Sequence, residues 1–114
     1  MGRDVLHGAC GLLPGTLEML ILRILLHDSL HGYAIAQRIH QLSREELQVE
    51  EGSLYPALQK LLVKGWVKGE WTLSETGRKV RVYQLTAAGR KQLDVEVAEF
   101  RRTTRAIEFL IDSA

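Results

Sequence analysis

The spacing of the apolar residues changes at Gly65, and this change constrains the fold more than any other feature of the chain. Before Gly65 the apolar positions recur every three or four residues, which is the period of helices that bury one face. From Trp66 to Leu85 they alternate with polar residues, which is the period of strands. After Thr86, which we predict to be the N-cap of a further helix, the helical period returns. The sequence therefore predicts a group of helices, a β-hairpin and a final long helix.

Three helices are predicted before the hairpin. The first covers residues 17–27, with Thr16 as its N-cap, and is apolar on almost every side, as expected for a helix at the centre of a core. A turn follows, and a second helix ends near Ser43. The third covers residues 53–64 and ends at Gly65, a residue type that favours helix C-termini.

The segment between the second and third helices allows two interpretations. Residues 43–46 fit a capping box, whereas residues 47–49 alternate like a short strand, and we predict the strand. Helix, helix, short strand, helix and two-stranded hairpin is the element order of a winged helix-turn-helix. In that fold the third helix enters the major groove of DNA and the hairpin, called the wing, lies along the adjacent backbone. The predicted fold class is mainly α, of the α+β type.

The long helix after Thr86 carries a heptad seam. Its apolar positions step alternately by four and three residues, the pattern of a helix that packs along a partner. The partner is the first helix of the same chain, the equivalent helix of a second subunit, or both. We predict both, and hence a homodimer, with an N-terminal extension at 1–13, a winged domain at 14–86 and a dimerisation helix at 87–114. The seam residues are Leu93, Val97, Phe100, Thr104, Ile107 and Ile111.

The net charge of +1 conceals a separation of charges along the chain. Between Lys60 and Lys91 eight basic residues stand against two acidic ones, a net charge of +6, and the remaining residues carry −5. A basic block inside a near-neutral protein is typical of a surface that meets a polyanion. Because this block coincides with the third helix and the wing, double-stranded DNA is the predicted partner.

The candidate DNA-binding residues lie on the third helix and on the wing. Gln59 is the first choice for contacting base edges, because its amide can pair with them from the middle of the helix. Lys79 and Arg81 share one face of the second wing strand and are expected to bind the sugar-phosphate backbone in a salt-dependent manner. The candidates on these two elements are Ser53, Tyr55, Gln59, Lys60, Lys64, Arg78, Lys79 and Arg81.

Composition excludes several classes of protein. Hydrophobic residues make up 46% of the chain and charged residues 25%, which are ordinary globular values. The longest apolar stretch, residues 17–26, is interrupted by two charges and is too short to span a membrane, and residues 1–13 lack the apolar region of a signal peptide. A cytoplasmic protein without membrane contact is expected. Cys10 is the sole cysteine, which excludes an internal disulfide.

No catalytic, cofactor or metal site is predicted. The sequence lacks a nucleophile elbow, a phosphate-binding loop and a dinucleotide fingerprint. His7 with Cys10, and His27 with His31, supply too few ligands to hold a metal ion. A small enzyme is therefore disfavoured. The stronger alternative is a winged helix that binds another protein, for which charge reversal in the wing would leave partner binding intact.

Five stretches of the chain resemble the PadR-like transcriptional regulators. Together they are distributed over nearly the whole of residues 13–93, and the run at residues 54–58 is specific at its spacing from the wing. The matching stretches are Gly15-Thr16-Leu17-Glu18, His31-Gly32-Tyr33-Ala34-Ile35, Gly52-Ser53-Leu54-Tyr55-Pro56-Ala57-Leu58, Gly65-Trp66-Val67 with Glu70-Trp71, and Arg81-Val82-Tyr83-Gln84-Leu85-Thr86-Ala87-Ala88-Gly89-Arg90.

The resemblance implies a winged-helix dimer that usually represses transcription, with the single C-terminal helix of the family's short subclass. For Tyr33 it implies a phosphate contact, against the alternative that this side chain packs under the wing. In several members a small-molecule effector releases the DNA, and Phe100 is the candidate here for lining a cleft between the subunits that holds a small apolar or aromatic effector. Val82 and Gln84 stand where the family often has a tyrosine and a basic residue, which weakens a phosphate contact at Gln84.

The combined expectation is a sequence-specific DNA-binding repressor that acts as a homodimer without a cofactor. Its two winged heads would place their third helices in successive major grooves of a pseudo-palindromic operator, about one helical turn apart.

Overall fold

The computed structural model of the protein describes residues 15–113, which form four helices and three strands. The predicted N-terminal extension, with His7 and Cys10, lies outside these residues, as does Ala114. In chain order the elements are α1 (Thr16–Ile24), β1 (Leu30–His31), α2 (Gly32–Leu42), α3 (Glu51–Lys64), β2 (Val67–Leu73), β3 (Lys79–Leu85) and α4 (Ala87–Asp112).

Helix α1 lies at the centre of the core, as its apolar circumference predicts. It contacts α2, α3 and α4. Each neighbouring helix contributes an apolar stripe at helical spacing, so that the four helices bury one continuous cluster. The largest fully buried side chains are Ile21, Leu22, Ile35, Leu54, Leu58, Leu61 and Val67.

The two ends of α1 differ from the prediction. Thr16 is the first helical residue and not the N-cap, because the cap position is taken by Gly15 with a φ of 85°. The helix ends at Ile24, and residues 25–27 form a turn instead of a further helical turn. Leu25 and Leu26 nevertheless pack on the core, which explains why the apolar pattern runs past the end of the helix.

The sheet is antiparallel, with strand order β1-β3-β2. Strands β2 and β3 form the predicted hairpin and pair from Val67 opposite Leu85 to Leu73 opposite Lys79. The third strand, β1, comes from the segment between α1 and α2, where a turn was expected. A strand this short has too few residues to show a period in the sequence.

The predicted strand at residues 47–49 is wrong, since the structure has there only an isolated bridge at Gln48. The backbone of Leu47 is hydrogen-bonded to side chains of the preceding helix and turn, and not to a neighbouring strand. Its N–H donates to Ser43 Oγ (3.0 Å), and its carbonyl lies 2.9 Å from His40 Nδ1. The alternation arises because Leu47 and Val49 pack on the core while Gln48 is exposed.

Thr86 joins α4 to the end of α3. As predicted, it is the N-cap of α4, where its Oγ1 accepts a hydrogen bond from Gly89 N–H at 3.0 Å. The same hydroxyl donates to the carbonyl of Gly65 at 2.7 Å. We call the winged part of the structure, residues 15–86, the head. Leu93, two turns into α4, is buried in the core of this head. Because Leu93 belongs to the predicted dimerisation helix and yet packs in the core of the winged domain, the division into a domain at 14–86 and a helix at 87–114 stays a prediction.

Removing the Thr86 hydroxyl is expected to destabilise the protein. Thr86→Ala loses the cap and leaves the Gly65 carbonyl without this donor, so the free energy of unfolding should fall by about 1–2 kcal/mol. Thr86→Ser keeps the hydroxyl and serves as the matched control. Chemical denaturation followed by circular dichroism measures both, and an alanine variant as stable as the serine variant would contradict the assignment.

Candidate nucleic-acid interface

The exposed face of α3 is fixed by the residues on its opposite side. Leu54, Leu58 and Leu61 are buried in the core, so the far side of the helix must face outward. Gln59 lies near the middle of this outward face and is exposed, with Pro56 and Val63 exposed on the same side. Because Pro56 and Val63 carry no side-chain hydrogen-bonding group, Gln59 is the residue of this stripe that can contact base edges.

Ser53 and Lys60 flank this outward face on one side, and Tyr55 flanks it on the other, by their angular positions around the helix. Ser53 is half-buried, whereas Lys60 and Tyr55 are exposed. The structure thus presents four of the predicted α3 residues around one surface, which is Gln59 with Ser53, Tyr55 and Lys60.

Tyr55 also connects α3 to the start of α2. Its hydroxyl oxygen would lie 2.7 Å from a Cβ built on Gly32, so the end of the Tyr55 side chain lies directly against this glycine. His31, the residue before, caps α2 by accepting a hydrogen bond from Ala34 N–H at its Nδ1 (3.2 Å). Next to this start, Tyr33 is 61% exposed, so it does not pack under the wing.

The wing tip is a tight turn that places two basic side chains in solvent. Ser74 N–H donates to the Arg78 carbonyl (2.8 Å), and Gly77 N–H donates to the Ser74 carbonyl (2.9 Å). Gly77 has a φ of 82°, a conformation that glycine adopts readily. Arg78 and Lys79 follow directly and are exposed.

The register of the hairpin places four wing residues on one face. Trp71 is opposite Arg81, and Leu73 is opposite Lys79. The same face continues at the base of the hairpin with Val67 and Tyr83, which are buried in the core.

Arg81 does not extend freely into solvent as a simple phosphate ligand would. It is half-buried, and its Cζ lies 5.7 Å from the ring centroid of Trp71 and 5.9 Å from that of Tyr83. Its Nε is buried without a hydrogen-bond partner.

Lys64 is the predicted DNA-binding residue that the structure separates from the others. Its Nζ lies 3.3 Å from a carboxylate oxygen of Glu18 in α1 and 4.7 Å from the ring centroid of Trp66. These contacts tie the C-terminal end of α3 to the body of the head, away from the N-terminal half of α3, which carries Ser53 and Tyr55.

The predicted seam on α4 divides into two parts. Leu93 is buried and Val97 packs against the core of the same chain. Beyond them Thr104 is half-buried, while Phe100, Ile107 and Ile111 are exposed. Three further apolar side chains of α4, Val95, Phe109 and Leu110, are also exposed.

A cleft of about 360 Å³ lies between the start of α1 and the middle of α4. Met19 and Phe100 give it an apolar wall, and Glu96 and Glu99 make the remainder acidic. Phe100, the predicted effector contact, therefore lines a cleft within one chain.

Known proteins place the chain in a family. A model described as the transcriptional regulator PadR-like family matches residues 21–95. The chain belongs to the PadR-like family of transcriptional regulators.

Solved structures of PadR-like and related regulators share its fold. A transcriptional regulator from Clostridium thermocellum superposes with a TM-score of 0.76 at 26% identity, covering 82% of this chain and 91% of that one. A PadR family regulator from Clostridium difficile gives 0.72 at 27% identity, covering 85% and 99%. PadR of Bacillus subtilis, solved in complex with operator DNA, gives 0.65 at 26% identity, covering 71% of this chain and 47% of that one. The predicted α+β winged-helix fold is confirmed.

Two features of this PadR-like chain were not recognised from the sequence as parts of the interface. Trp71 was noted only within a matching stretch, although a large aromatic residue on the outer half of a wing strand is a signal that could have been used. The Gly32–Tyr55 contact was missed because it joins two helices that are distant along the chain.

In residues 15–113 no three His, Cys, Asp or Glu side chains converge in a way that could hold a metal ion. Over the same residues none of the helices is long and apolar enough to cross a membrane.

Tyr83 provides a titration test of the buried base of the wing. Burial raises the pKa of its phenol above the ordinary value of 10.0, a nearby Arg81 guanidinium opposes the rise, and Tyr55 adds to it. Because the unfolded chain ionises first, the neutral phenol stabilises the fold fully below about pH 10, and this stabilisation is lost as the pH rises through the folded-state pKa.

The measurement is a tyrosinate absorbance titration of the wild type and of Tyr83→Phe. The difference between the two curves isolates Tyr83, and its midpoint is expected above 10.0. A midpoint at or below that value would show that the phenol is not buried as described.

Proposed function

We propose that this PadR-like regulator is a sequence-specific DNA-binding repressor that binds a pseudo-palindromic operator as a homodimer. One observation carries the proposal, which is that three predicted DNA-binding elements meet at one surface. Tyr55 of α3 lies against Gly32 at the start of α2 and close enough to Tyr83 to influence its pKa, and Tyr83 lies under Arg81 of the wing.

The charges of this surface support DNA as the ligand. Arg78 and Lys79 at the wing tip are free of ion pairs to the described carboxylates, whereas Arg38 and Lys64, in the helices, are paired. Unpaired cations at the tip of the wing suit contacts to phosphates, which fix the protein on the duplex and release counterions. Such contacts carry no sequence information, so specificity is assigned to Gln59 at the centre of α3.

The dimer is proposed from the exposed half of the α4 seam. Phe100, Ile107 and Ile111 lie at heptad spacing beyond the core of the head, and apolar residues at this spacing suit a second helix. A single winged head contacts half of a palindromic site, so a two-fold dimer supplies the second half. Repression then follows from occupation of the promoter, and such a role places the protein in the cytoplasm.

Effector control is a further part of the proposal. The cleft beside Phe100 is bounded by α1 and α4, so a small apolar or aromatic molecule bound there would change the angle between the head and the dimer helix. Binding of this kind releases DNA only if it favours a head spacing different from that of the operator complex.

Charge reversal at the wing tip tests the DNA contact. Fluorescence anisotropy across a salt series would compare labelled duplexes tiled over the promoter of the protein's own gene with scrambled duplexes. The salt slope is the slope of the logarithm of the binding constant against the logarithm of the salt concentration. For Arg78→Glu/Lys79→Glu, binding should weaken and the magnitude of this slope should fall by about 2 to 4, because up to four phosphate contacts per dimer are lost. Arg101→Glu/Arg102→Glu on α4 reverses the same charge and should retain the slope. Equal losses for both variants would indicate non-specific attraction only.

Gln59→Ala tests sequence recognition separately. Loss of its base contact should cost about 1–3 kcal/mol on the promoter duplex and leave binding to scrambled DNA unchanged. The same anisotropy series measures the ratio of the two affinities. If the ratio is unaffected, base recognition lies elsewhere on the surface.

Ile107→Asp tests the dimer. A buried carboxylate in the seam should convert the protein to monomers in sedimentation equilibrium, while circular dichroism retains the helical head. Arg105→Asp, on a different face of the same helix, is the control and should remain a dimer. A wild-type protein that sediments as a monomer at all concentrations would contradict this part of the proposal.

A further inference from the structure

The wing carries an exposed apolar patch on the face that continues its buried base. Trp71 is 64% exposed and Leu73 is 67% exposed, and both project from β2 toward the tip of the hairpin. Contiguous exposed apolar groups rimmed by charge are typical of interaction sites. Here the rim is basic, because Lys79 is opposite Leu73 and Arg81 is opposite Trp71.

Arg81 contacts the Trp71 ring and supports its orientation. The Arg81 Cζ lies within the range of cation–π contacts from both the Trp71 ring and the Tyr83 ring. Gly69 leaves room for this arrangement, since a Cβ at this position would lie 2.6 Å from Arg81 Nε. Arg81 is thus in contact with two rings and a glycine, while most of Trp71 stays exposed to solvent.

The apolar patch and its basic rim together indicate the chemistry of the partner that binds there. A surface that alternates exposed aromatic and cationic groups fits a partner that alternates apolar and anionic groups over a similar distance. The groove edge of duplex DNA has this character, with deoxyribose rings between phosphates, and aromatic or apolar side chains pack against sugars and bases in such sites.

We infer that Trp71 is a DNA-contact residue that packs on the sugars lining the groove at the wing, and that Arg81 is a positioning residue that holds the ring. The inference rests on the DNA-binding function proposed above and adds a residue to it. It divides the wing into a cationic tip, Arg78 and Lys79, and an apolar platform, Trp71.

The two parts of the wing differ in their response to salt. Contacts from the tip to phosphates release counterions, so their loss reduces the salt slope. Apolar contact with a sugar releases none, so loss of Trp71 weakens binding equally at every salt concentration. This difference separates a direct contact of the ring from a role that merely supports the charge of Arg81.

The first experiment measures the affinity and salt slope of Trp71→Ala on the promoter duplexes. Affinity is expected to fall by at least about fivefold, because one aromatic contact is lost from each of the two heads, with a slope parallel to that of the wild type. Trp71→Phe should recover part of the loss because it restores an aromatic ring. Thr72→Ala, which is exposed on the opposite face of the same strand, is the matched control and should bind as the wild type does.

The second experiment observes the ring directly. Trp66 is the other tryptophan of the chain, so Trp66→Phe leaves Trp71 as the single tryptophan fluorophore. Unlabelled promoter duplex should quench or shift the emission of Trp71 in this variant at the same concentrations that saturate the anisotropy signal. A folded variant that binds DNA without any change in emission would overturn the inference.

The remaining outcomes are also decisive. If Trp71→Ala binds within twofold of the wild type, or loses salt slope as Arg78→Glu/Lys79→Glu does, the ring is not a contact of its own and the inference fails while the proposed function stands. If the wild-type dimer binds none of the promoter duplexes at low salt, the proposed function fails and this inference fails with it.

Discussion

The burial of α1 between α2, α3 and α4 is the constraint on which the rest of the structure depends. Ile21 and Leu22 at its middle are fully buried, so any shift of α1 opens a cavity against its neighbours at a cost of several kcal/mol. The helix therefore fixes the position of α3, which presents Gln59, relative to α4, which carries the exposed seam. In a dimer, the spacing between the two copies of Gln59 is set by this one buried helix.

The same dependence bears on the proposed effector control. The cleft between α1 and α4 lies where the head meets the long helix, next to Phe100. A change in the packing of α1 on α4 near this cleft would also displace α3, because α1 contacts both helices and a packed core deforms little. An effector would have to favour one of two such packings by a few kcal/mol to alter operator binding.

The wing shows how one strand face can serve two purposes. At the base of the hairpin Val67 and Tyr83 are buried in the core, and farther out on the same face Trp71 and Lys79 are exposed. Because side chains alternate strictly along a strand, the buried pair fixes the direction in which the exposed pair points. The core of the head thus orients the wing without any hinge between the two.

Much of this arrangement follows from the sequence. The hairpin, the cap at Thr86 and the core face of α3 depend on local periods and turn residues, which are visible in one chain. The predicted strand at residues 47–49 was wrong because Leu47 and Val49 alternate with Gln48 for reasons of core packing, while the backbone of Leu47 is hydrogen-bonded to His40 and Ser43. The two-residue strand β1 and the turn after Ile24 are too short to alter a period.

Some features of the candidate site could likewise be predicted from the sequence, and others could not. The positions of Gln59 and Lys79 on their elements follow from helix and strand periods. The stacking of Arg81 could not be predicted, because it depends on the absence of a side chain at Gly69 and on two rings that meet only when the register is known. The ion pair between Lys64 and Glu18 could not be predicted either, because it joins residues of α3 and α1 that are far apart in the chain.

Hydroxyl-radical footprinting of the protein on its own promoter shows whether two heads bind in register, since it maps the contacted sugars on both strands. We expect two protected patches on one side of the duplex, about 10 base pairs apart, each with a flanking protection where the wing lies. A single continuous patch, or protection that is the same on scrambled DNA, would contradict the claim that two winged heads are held in register by α1 and α4.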